Sequence, residues 1–327
     1  MNTASAARSA ACAMLGGVLL AAPAAHADTY PSRPIQVIIP FAGGSASDVV
    51  TRILLNRAGE ILGHPFIIDN RPGAGGNNGT ATAAKSTPDG YNLVATGSGP
   101  VAANRTLYRD LGYDVEKDFE PISLVAVFPI VVVASTKLPV NSLSELIAYA
   151  KQHPGLNYGS VGIGSSQHLA GAYFEQLTGV KLTHVPYRNI SQYGPDMIAG
   201  SVPLGFQWLP NVLPPLQAKG ARALAVANKS RMKALPDVPT TSEAGLPGYE
   251  NSGWFTLLAP KGTPKEMIAT VNKAVTEALN DPTVRQRFTE QGAEPVVMTP
   301  AELGKFIADE NVKWHDIIVK AGIPQIQ

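Results

Sequence analysis

Short apolar runs rich in β-branched residues alternate with helical patterns along most of this chain. The apolar runs lie at positions 35–39, 65–69, 92–96, 129–135, 156–160, 182–186, 202–206, 221–227 and 254–260. Amphipathic patterns of helical period lie at positions 46–61, 141–152, 166–178, 264–280 and 300–320. Strands without a polar face are buried on both sides, and the intervening helices supply the crossover connections of a parallel sheet. The alternation therefore predicts an α/β fold of parallel, doubly wound sheets.

The first 27 residues have the features of a secretory signal peptide. They carry a single basic residue, Arg8, followed by an apolar run and by the small-residue pattern Ala25-His26-Ala27, which is typical of a cleavage site. The apolar run is shorter than the roughly 18 to 20 residues that a membrane-spanning helix needs. We therefore predict that residues 1–27 are removed and that the mature chain is a soluble, periplasmic protein.

Composition and charge restrict the partners. The 327-residue chain has 26 Lys and Arg against 25 Asp and Glu, and one of the basic residues lies in the predicted signal peptide. The one cysteine, Cys12, lies there too, so the mature chain must bury its core without disulfides, as a chain long enough for about two domains can. With no net charge and no long run of either sign, neither nucleic acid nor an anionic membrane surface is an expected partner.

A glycine-rich loop, PFAGGSASD, follows the first apolar run directly. Gly43 and Gly44 permit a sharp turn, and Ser45 can cap the helix that follows, with Asp48 three residues later. One interpretation is purely structural: a strand, a turn and a capped helix. The other is an anion-binding site, in which backbone N–H groups at the positive end of the helix face a ligand and Phe41 supplies an apolar wall.

The same pattern recurs in YGSVGIGSSQHL, where Gly162 and Gly164 form the turn and Ser165 or Ser166 caps the next helix. Two such loops at the carboxyl ends of strands can hold one anion from both sides. A third loop, TGSGP, also follows a strand and adds Ser98 as a candidate for the same cleft. A fourth loop, NRPGAGG, is interpreted as a structural turn.

The sequence contains none of the motifs that mark common catalytic, metal or nucleotide sites. There is no HExxH, CxxC, GxSxG, GxGxxG or GxxxxGK[ST] pattern, so we predict no catalytic residue, no metal site and no cofactor. His168 and His184 can be either part of a site or packed residues. Arg188 can either pair with a ligand carboxylate or form a salt bridge within the protein.

Several segments of this chain match one family pattern in order: PFAGGSASDVVTR, NRPGAGGNNGT, PDGYNLV, SLSELIAYAK, YGSVGIGSSQHLAGAYFEQLTG, HVPYRN, ARALAVA, PDVPTTSEAG and WFTLLAPKGTP. They resemble the Bug-type receptors, the extracytoplasmic solute-binding proteins of tripartite tricarboxylate transporters. The resemblance runs from about Tyr30 to the C-terminus, and its motifs are long and numerous.

The resemblance implies a two-lobed periplasmic-binding-protein fold of the Venus flytrap type, each lobe a doubly wound sheet, with two crossover strands at 129–135 and 254–260. Lobe 1 would comprise residues 28–130 and 254–327, and lobe 2 residues 131–253. The resemblance also implies a receptor that captures a small organic carboxylate and delivers it to membrane permease subunits. A monomer suits a receptor that must open and close, so a monomer is the expected state.

In such receptors, a ligand carboxylate is held between the two glycine-rich loops by backbone amides, capping hydroxyls and bridging waters. Carried over to this sequence, the contacts on lobe 1 are Phe41, Ala42, Gly43, Gly44, Ser45 and Asp48. The contacts on lobe 2 are Ser160, Val161, Gly162, Gly164, Ser165, Ser166 and His168.

One segment departs from the family pattern. Members commonly read V-D-L-x-F-D-N-L-P where this chain reads VPLGFQWLP, so Gln207 stands at the acid position and Trp208 at the amide position. An acid there would suit a ligand amino group, whereas Gln207 offers neutral donors and Trp208 can wall a flat ring. One hypothesis is therefore a non-amino ligand, such as an aromatic mono- or dicarboxylate of the phthalate type. The other is that Trp208 is a core residue and Gln207 a hinge residue.

Two other functions are compatible with this pattern. A sensory co-receptor would present the acid to a membrane kinase, and sequence does not separate that role from transport. A periplasmic enzyme acting on the same acid would need a nucleophile or metal motif, which the sequence lacks.

Overall fold

The computed structural model describes residues 30–320 and 323–326 and shows an α/β protein with one six-stranded and one five-stranded sheet. The strands are β1 (Ile35–Ile39), β2 (Phe66–Asn70), β3 (Asn92–Gly97), β4 (Phe119–Pro129), β5 (Val131–Ser135), β6 (Leu156–Ser160), β7 (Leu182–Pro186), β8 (Leu204–Gln207), β9 (Ala221–Val226), β10 (Ser252–Pro260) and β11 (Glu294–Pro295). The helices are α1 (Ala46–Leu62), α2 (Asn77–Ala84), α3 (Asn104–Leu107), α4 (Val115–Asp118), α5 (Leu143–Gln152), α6 (Ser166–Thr178), α7 (Tyr193–Ala199), α8 (Leu209–Gln217), α9 (Lys265–Asn280), α10 (Pro282–Glu290) and α11 (Pro300–Lys320). The predicted signal peptide lies outside the described residues.

The six-stranded sheet has the order β11-β4-β10-β3-β1-β2, and the five-stranded sheet has the order β7-β6-β8-β5-β9. We call the part of the chain built on the first sheet lobe 1 and the part built on the second sheet lobe 2. The fold is therefore two-lobed. Each sheet is covered by helices, and Ile35, Val37 and Ile39 of β1 are buried in the core that α1 and α9 share with the six-stranded sheet.

Both sheets are mixed, whereas the sequence pattern predicts parallel sheets. In lobe 1, β1 is parallel to β2 and β3, but β10 is antiparallel to β3 and β4. In lobe 2, β6 is parallel to β7 and β8, but β5 is antiparallel to β8 and β9. The reversed strands β5 and β10 are the first ones after each crossing between lobes. They enter their sheets from the cleft, where the carboxyl ends of the parallel strands lie, and so must run the opposite way.

The two crossings meet at a point that we call the hinge, formed by Ile130, Ala227 and Asn251. The Ile130 N–H donates to the Asn251 carbonyl (3.0 Å), the Asn251 N–H to the Ala227 carbonyl (3.0 Å), and the Ala227 N–H to the Ile130 carbonyl (2.8 Å). The first predicted crossover strand, 129–135, spans the first crossing between β4 and β5. The second, 254–260, lies within β10, just after the return. The predicted lobe boundaries stay a prediction.

Within residues 30–320 and 323–326, no helix combines the length and the apolar character needed to cross a membrane. In the same part of the chain, no group of three or more His, Cys, Asp or Glu side chains is arranged to hold a metal ion.

Candidate functional site

The first glycine-rich loop leads from β1 into α1 at the edge of lobe 1 that faces lobe 2. Ser45 caps α1, because its Oγ accepts a hydrogen bond from the Asp48 N–H (3.4 Å). Gly44 has a φ of 77°, a left-handed conformation that favours glycine. The loop is therefore both a capped helix start and a tight turn that brings backbone amides to the cleft.

Asp48 organises this loop from inside. Its carboxylate accepts hydrogen bonds from the Gly44 N–H (2.9 Å), from the Arg52 Nε (2.9 Å) and from the Asn70 amide (2.9 Å). Burial alone would raise the pKa of Asp48, but these hydrogen bonds and the Arg52 charge lower it overall. The ionised carboxylate is thus already surrounded by donors and holds the loop in shape.

The second glycine-rich loop repeats this construction between β6 and α6. Ser165 caps α6 by accepting from the His168 N–H (3.3 Å), and its hydroxyl donates to the Gly162 carbonyl (2.7 Å). Gly162 and Gly164 have φ values of 126° and 79°. The Ser160 hydroxyl accepts from the Gly162 N–H (3.0 Å), which closes the turn.

Two half-buried histidines brace this loop from the protein side. The rings of His168 and His184 lie 4.2 Å apart, His184 Nε2 is 2.6 Å from Ser160 Oγ, and the Gly164 N–H donates to His168 Nδ1 (3.2 Å). Burial lowers the pKa of His168 to about 4. Burial, together with the neighbouring His168, lowers the pKa of His184 to about 3. Both imidazoles are therefore neutral at pH 7 and bring no positive charge to the cleft.

These depressed pKa values predict that acid destabilises the protein. Below the ordinary histidine pKa of about 6.5, His168 and His184 are protonated in the unfolded chain but stay neutral in the folded chain. The free energy of unfolding therefore falls as the pH drops towards 4. We expect His184→Gln, whose amide can still reach Ser160, to flatten this dependence in urea unfolding at several pH values. Thr183→Gln, at an exposed position of the same strand that carries no titrating group, is the control and should leave the slope unchanged; an equal effect of both variants would contradict the prediction.

The two lobes touch across the cleft through backbone. A Cβ added to Gly162 would lie 2.8 Å from the Gly75 nitrogen, and a Cβ added to Gly99 would collide with the Gly164 carbonyl oxygen. The Tyr108 hydroxyl also donates to the Ile163 carbonyl (3.1 Å). The structure is therefore a closed form, in which glycines permit the close approach of the lobes.

A relay of three hydrogen bonds connects the lobes beside this contact. The Gln207 amide donates to the Gly159 carbonyl (2.7 Å), the Asn211 amide donates to Gln207 Oε1 (3.0 Å), and the Ala46 N–H of lobe 1 donates to Asn211 Oδ1 (2.9 Å). The donors of Gln207 are thus used within lobe 2. Gln207 fixes the orientation of Asn211, and Asn211 binds the start of α1.

We expect Asn211→Ala to shift the protein towards the open form, because it removes the lobe 2 end of this interlobe bond. A hydrogen bond of this kind contributes about 0.5 to 1.5 kcal/mol, so ligand affinity should fall roughly two- to tenfold. Small-angle scattering of the ligand-free protein and ligand titration measure the two effects. Gln217→Ala, at an exposed position of the same helix, should match the wild type, and an unchanged scattering profile for Asn211→Ala would contradict the role.

An inner cavity of about 10 Å3 lies between the lobes, where β3, α1 and α6 meet. It is lined by Phe41, Ser47, Gly97, Ser98, Gly99, Pro100, Val161, Ser165, Ser166, Gln167 and Trp208. The Ser98 hydroxyl and the Trp208 indole N–H are buried and have no hydrogen-bond partner among the described residues. Buried polar groups are normally paired, so these two donors mark the cavity as a place for an acceptor.

The indole of Trp208 is held rigidly by other aromatic rings. One face is stacked on Phe128 with ring centroids 4.5 Å apart, and Phe255 approaches edge-on at 6.5 Å. The side chain is 3 % exposed. Trp208 is therefore a core residue that lines the inner cavity. One face of its indole is already covered by Phe128, so that face cannot stack on a ligand ring.

An outer cavity, also about 10 Å3, lies nearer the surface. It shares Phe41 and Val161 with the inner cavity, so these two side chains separate the two. Its remaining lining residues are Pro40, Ala42, Ser45, Pro72, Gly73, Arg188 and Ile190. Arg188 is exposed and has no ion pair among the described residues, which leaves its guanidinium free at the outer end of the cleft.

The predicted site residues fall into two groups. Those that line one or both cavities are Phe41, Ala42, Ser45, Ser98, Val161, Ser165, Ser166 and Trp208. Those that line neither cavity are Gly43, Gly44, Asp48, Ser160, Gly162, Gly164, His168 and Gln207. In the second group, Asp48, Ser160, His168 and Gln207 bond to the loops or to Asn211, and so support the site from behind.

Sequence reasoning missed Ser47, Gln167 and Asn211. Ser47 and Gln167 are the second residues of α1 and α6. Ser47 lies between the predicted residues Ser45 and Asp48, and Gln167 lies between Ser166 and His168. A search of the whole first turn of each helix would have found them. Asn211 lies four residues after Gln207, in helix α8. The sequence pattern did not predict this helix, so nothing in the sequence marked Asn211 as a site residue.

Known proteins show to which family this chain belongs. Residues 50–323 match the family described as Tripartite tricarboxylate transporter family receptor. The chain belongs to this family. Receptors of this family are periplasmic solute-binding proteins, which agrees with the two lobes and the cleft between them. The resemblance found in the sequence is thereby confirmed.

Individual tripartite tricarboxylate transporter receptors are similar over almost the whole chain. Protein BugT of Bordetella pertussis is 38 % identical over 305 residues, which is 93 % of each chain. The periplasmic binding protein BugD has a TM-score of 0.86 and 32 % identity, covering 91 % of this chain and 100 % of that one.

Two solved structures that are similar to this chain hold a ligand. An R. palustris protein with adipate has a TM-score of 0.88 and 36 % identity, covering 91 % of this chain and 100 % of its own. MatC from Rhodopseudomonas palustris with bound malate has a TM-score of 0.82 and 33 % identity, covering 88 % of this chain and 100 % of its own.

Proposed function

We propose that this receptor binds a small organic carboxylate between its lobes and delivers it to the permease of a tripartite tricarboxylate-type transporter. The observation that carries the proposal is the pair of unpaired donors, Ser98 Oγ and Trp208 Nε1, at a cavity bounded by the first turns of α1 and α6. Helix starts favour anions. The similar receptors with adipate and malate bind ligands of this chemical class.

The donors suffice for useful affinity. A hydrogen bond to a charged acceptor contributes about 1.5 to 3 kcal/mol net. Two or three such bonds, with burial of the ligand's carbon chain against Phe41 and Val161, reach the roughly −8 kcal/mol of micromolar binding. No charged side chain is required at the inner end of the cleft.

Binding requires the lobes to move. A cavity of about 10 Å3 has room for about one water molecule, so an organic acid enters an open form. The lobes then close around it with their backbone contacts retained, while the side chains of Phe41 and Val161 move aside to make room. The ligand favours closure only through contacts that it makes with both lobes. The hinge at Ile130, Ala227 and Asn251 is where we place the rotation.

A dicarboxylate fits the two ends of the cleft. One carboxylate would accept from Ser98 and Trp208, the carbon chain would pass between Phe41 and Val161, and the second carboxylate would meet Arg188. The hypothesis of an aromatic ligand assumes that Trp208 stacks on the ligand ring. Because one face of the indole is stacked on Phe128, we assign Trp208 the role of a hydrogen-bond donor through its N–H. A phthalate-type acid is therefore one member of the ligand panel, beside aliphatic dicarboxylates.

We expect Arg188→Met to weaken dicarboxylates selectively. Loss of a charge-assisted contact to the second carboxylate should lower their affinity roughly tenfold, while a monocarboxylate of similar length should bind as before. Calorimetric titration with both acids measures the difference. Arg109→Met, at another exposed arginine, is the control; equal losses for both acids would contradict the assignment of Arg188 to the second carboxylate.

The protein is proposed to bind the acid without transforming it. Ser160 and His184 are hydrogen-bonded, but Ser160 is fully buried and lines neither cavity, so it has no access to a substrate. We further propose that residues 1–27 direct export and that the receptor acts as a monomer. Mass spectrometry of acids incubated with the protein should show no product.

A thermal-shift screen tests the proposed function. Aliphatic and aromatic mono-, di- and tricarboxylates and amino acids are added to the purified protein, and a ligand that binds the native state must raise the melting temperature. We expect the largest shift with a dicarboxylate. The absence of a shift with every acid would refute the carboxylate assignment. Permease delivery is tested by co-purification of membrane subunits with and without the acid.

A further inference from the structure

A larger cavity, of about 440 Å3, lies away from the ligand cleft. Its size is within the range of sites for small molecules. Tyr173 of α6 in lobe 2 forms one wall, and Trp314 and Ile317 of α11 in lobe 1 form another. The floor is the hinge, including Asn251. We call this space the hinge cavity, and none of its lining residues lines the inner or outer cavity of the cleft.

Asn251, which lines the floor of the hinge cavity, carries a buried side-chain acceptor. Asn251 is 8 % exposed, and its side-chain Oδ1 has no hydrogen-bond partner among the described residues. The Asn251 N–H donates to the Ala227 carbonyl, and the Asn251 carbonyl accepts from the Ile130 N–H, so both backbone groups are already paired within the hinge. A buried amide oxygen without a partner is costly, so this position favours an occupant that brings an N–H or O–H donor.

Charges of both signs stand at the rim. Lys229 and Glu250 are exposed, and neither forms an ion pair within the described part of the chain. Lys313 is already bonded to Glu310 at 2.8 Å. The cavity therefore offers one free cation, one free anion, a buried oxygen and an apolar wall.

We propose that the hinge cavity binds a small amino acid in its zwitterionic form. The carboxylate pairs with Lys229, the ammonium group is shared between Glu250 and Asn251 Oδ1, and an apolar side chain packs against Trp314 and Ile317. This arrangement satisfies the one buried acceptor and both free charges with a single ligand. A simple carboxylate would leave Glu250 and Asn251 unpaired.

Occupation of the hinge cavity must influence the cleft. Its walls belong to both lobes and its floor to the hinge, so an amino acid there makes different contacts in the open and closed forms and biases their ratio. This coupling rests on the carboxylate function proposed for the cleft, whereas the binding itself does not. By linkage, each ligand would change the affinity of the other by the same factor.

Calorimetric titration with L-leucine tests the site, since its aliphatic side chain suits the apolar wall. We expect binding to the wild type that Lys229→Met and Glu250→Gln each weaken roughly tenfold or more. Lys233→Met, at an exposed lysine of the same loop that does not line the cavity, should leave the leucine affinity unchanged. Trp208→Phe should leave it unchanged as well, because Trp208 belongs to the cleft.

Two analogues that each lack one charge complete the test. In the Trp208→Phe background, 4-methylpentanoate and 3-methylbutylamine should bind roughly tenfold more weakly than leucine. The proposal is overturned if leucine does not bind the wild type at up to roughly 10 mM, or if an analogue binds as tightly. It is also overturned if Trp208→Phe abolishes leucine binding while Lys229→Met preserves it, because leucine would then occupy the cleft.

Discussion

Trp208→Phe is expected to weaken carboxylate binding by roughly ten- to 100-fold, the equivalent of one charge-assisted hydrogen bond of about 1.5 to 3 kcal/mol. Phe keeps the stacking on Phe128 but lacks the indole N–H, which has no hydrogen-bond partner among the described residues. No protein hydrogen bond is lost, so the fall in melting temperature without ligand comes only from the smaller ring that Phe places in the core. Calorimetric titration with the acid that gives the largest thermal shift measures the loss.

Trp254→Phe is the matched control for this prediction. Its indole N–H is also buried, but it donates to Glu310 Oε2 (2.7 Å), outside the cleft. The control should therefore lose stability and keep the wild-type affinity. If both variants lose affinity equally, or if Trp208→Phe binds like the wild type, the inner cavity is not the carboxylate site.

Gly99→Ala is expected to prevent full closure. The backbone of Gly99 is outside the left-handed region, so Ala is tolerated within lobe 1, but its Cβ would collide with the Gly164 carbonyl of lobe 2. Overpacking of this kind costs about 1 to 3 kcal/mol, which corresponds to a roughly five- to 150-fold loss of affinity. Small-angle scattering should show a smaller compaction on addition of ligand than in the wild type.

Gly304→Ala provides the comparison for a change that is local to one lobe. Gly304 lies in α11, and the nearest atom to an added Cβ is Pro121 Cγ at 3.7 Å. Ala at this helical position should raise stability slightly and leave closure and affinity intact. A Gly99→Ala protein that compacts and binds like Gly304→Ala would show that the glycine contacts between the lobes do not govern closure.

The glycine-rich loops could be predicted because their local chemistry is self-contained. Ser45 and Ser165 cap α1 and α6 as their positions after the glycines indicate, and Gly44 and Gly164 adopt left-handed conformations. Both loops were expected at carboxyl ends of strands, and β1 and β6 do lead into them. Short-range steric and hydrogen-bonding rules were enough for this part of the site.

Features that depend on contacts between distant segments could not be predicted in the same way. The direction of β5 and β10 follows from where the chain crosses between lobes, which apolar periodicity does not encode. Most of β4 went unrecognised, because Glu120 and Pro121 interrupt its apolar pattern and its pairing with β10 is irregular.

The chemistry of the segment VPLGFQWLP depends on partners far along the chain. The Gln207 amide donates to the Gly159 carbonyl, 48 residues away in sequence, and Gln207 Oε1 accepts from Asn211. Gln207 therefore acts on the cleft through Asn211. Trp208 stacks on Phe128 and presents an edge instead of a face. No pattern within VPLGFQWLP contains either partner.

The indole resonances of the three tryptophans test the central claim most directly. Trp254 and Trp314 both donate to Glu310 Oε2, whereas the Trp208 N–H has no partner within residues 30–320 and 323–326. In a 1H–15N spectrum, adding the bound carboxylate should move the Trp208 indole proton downfield, as a new charge-assisted hydrogen bond requires, while the other two stay in place. A Trp208 signal that remains fixed when the acid saturates the protein would contradict the proposed carboxylate site.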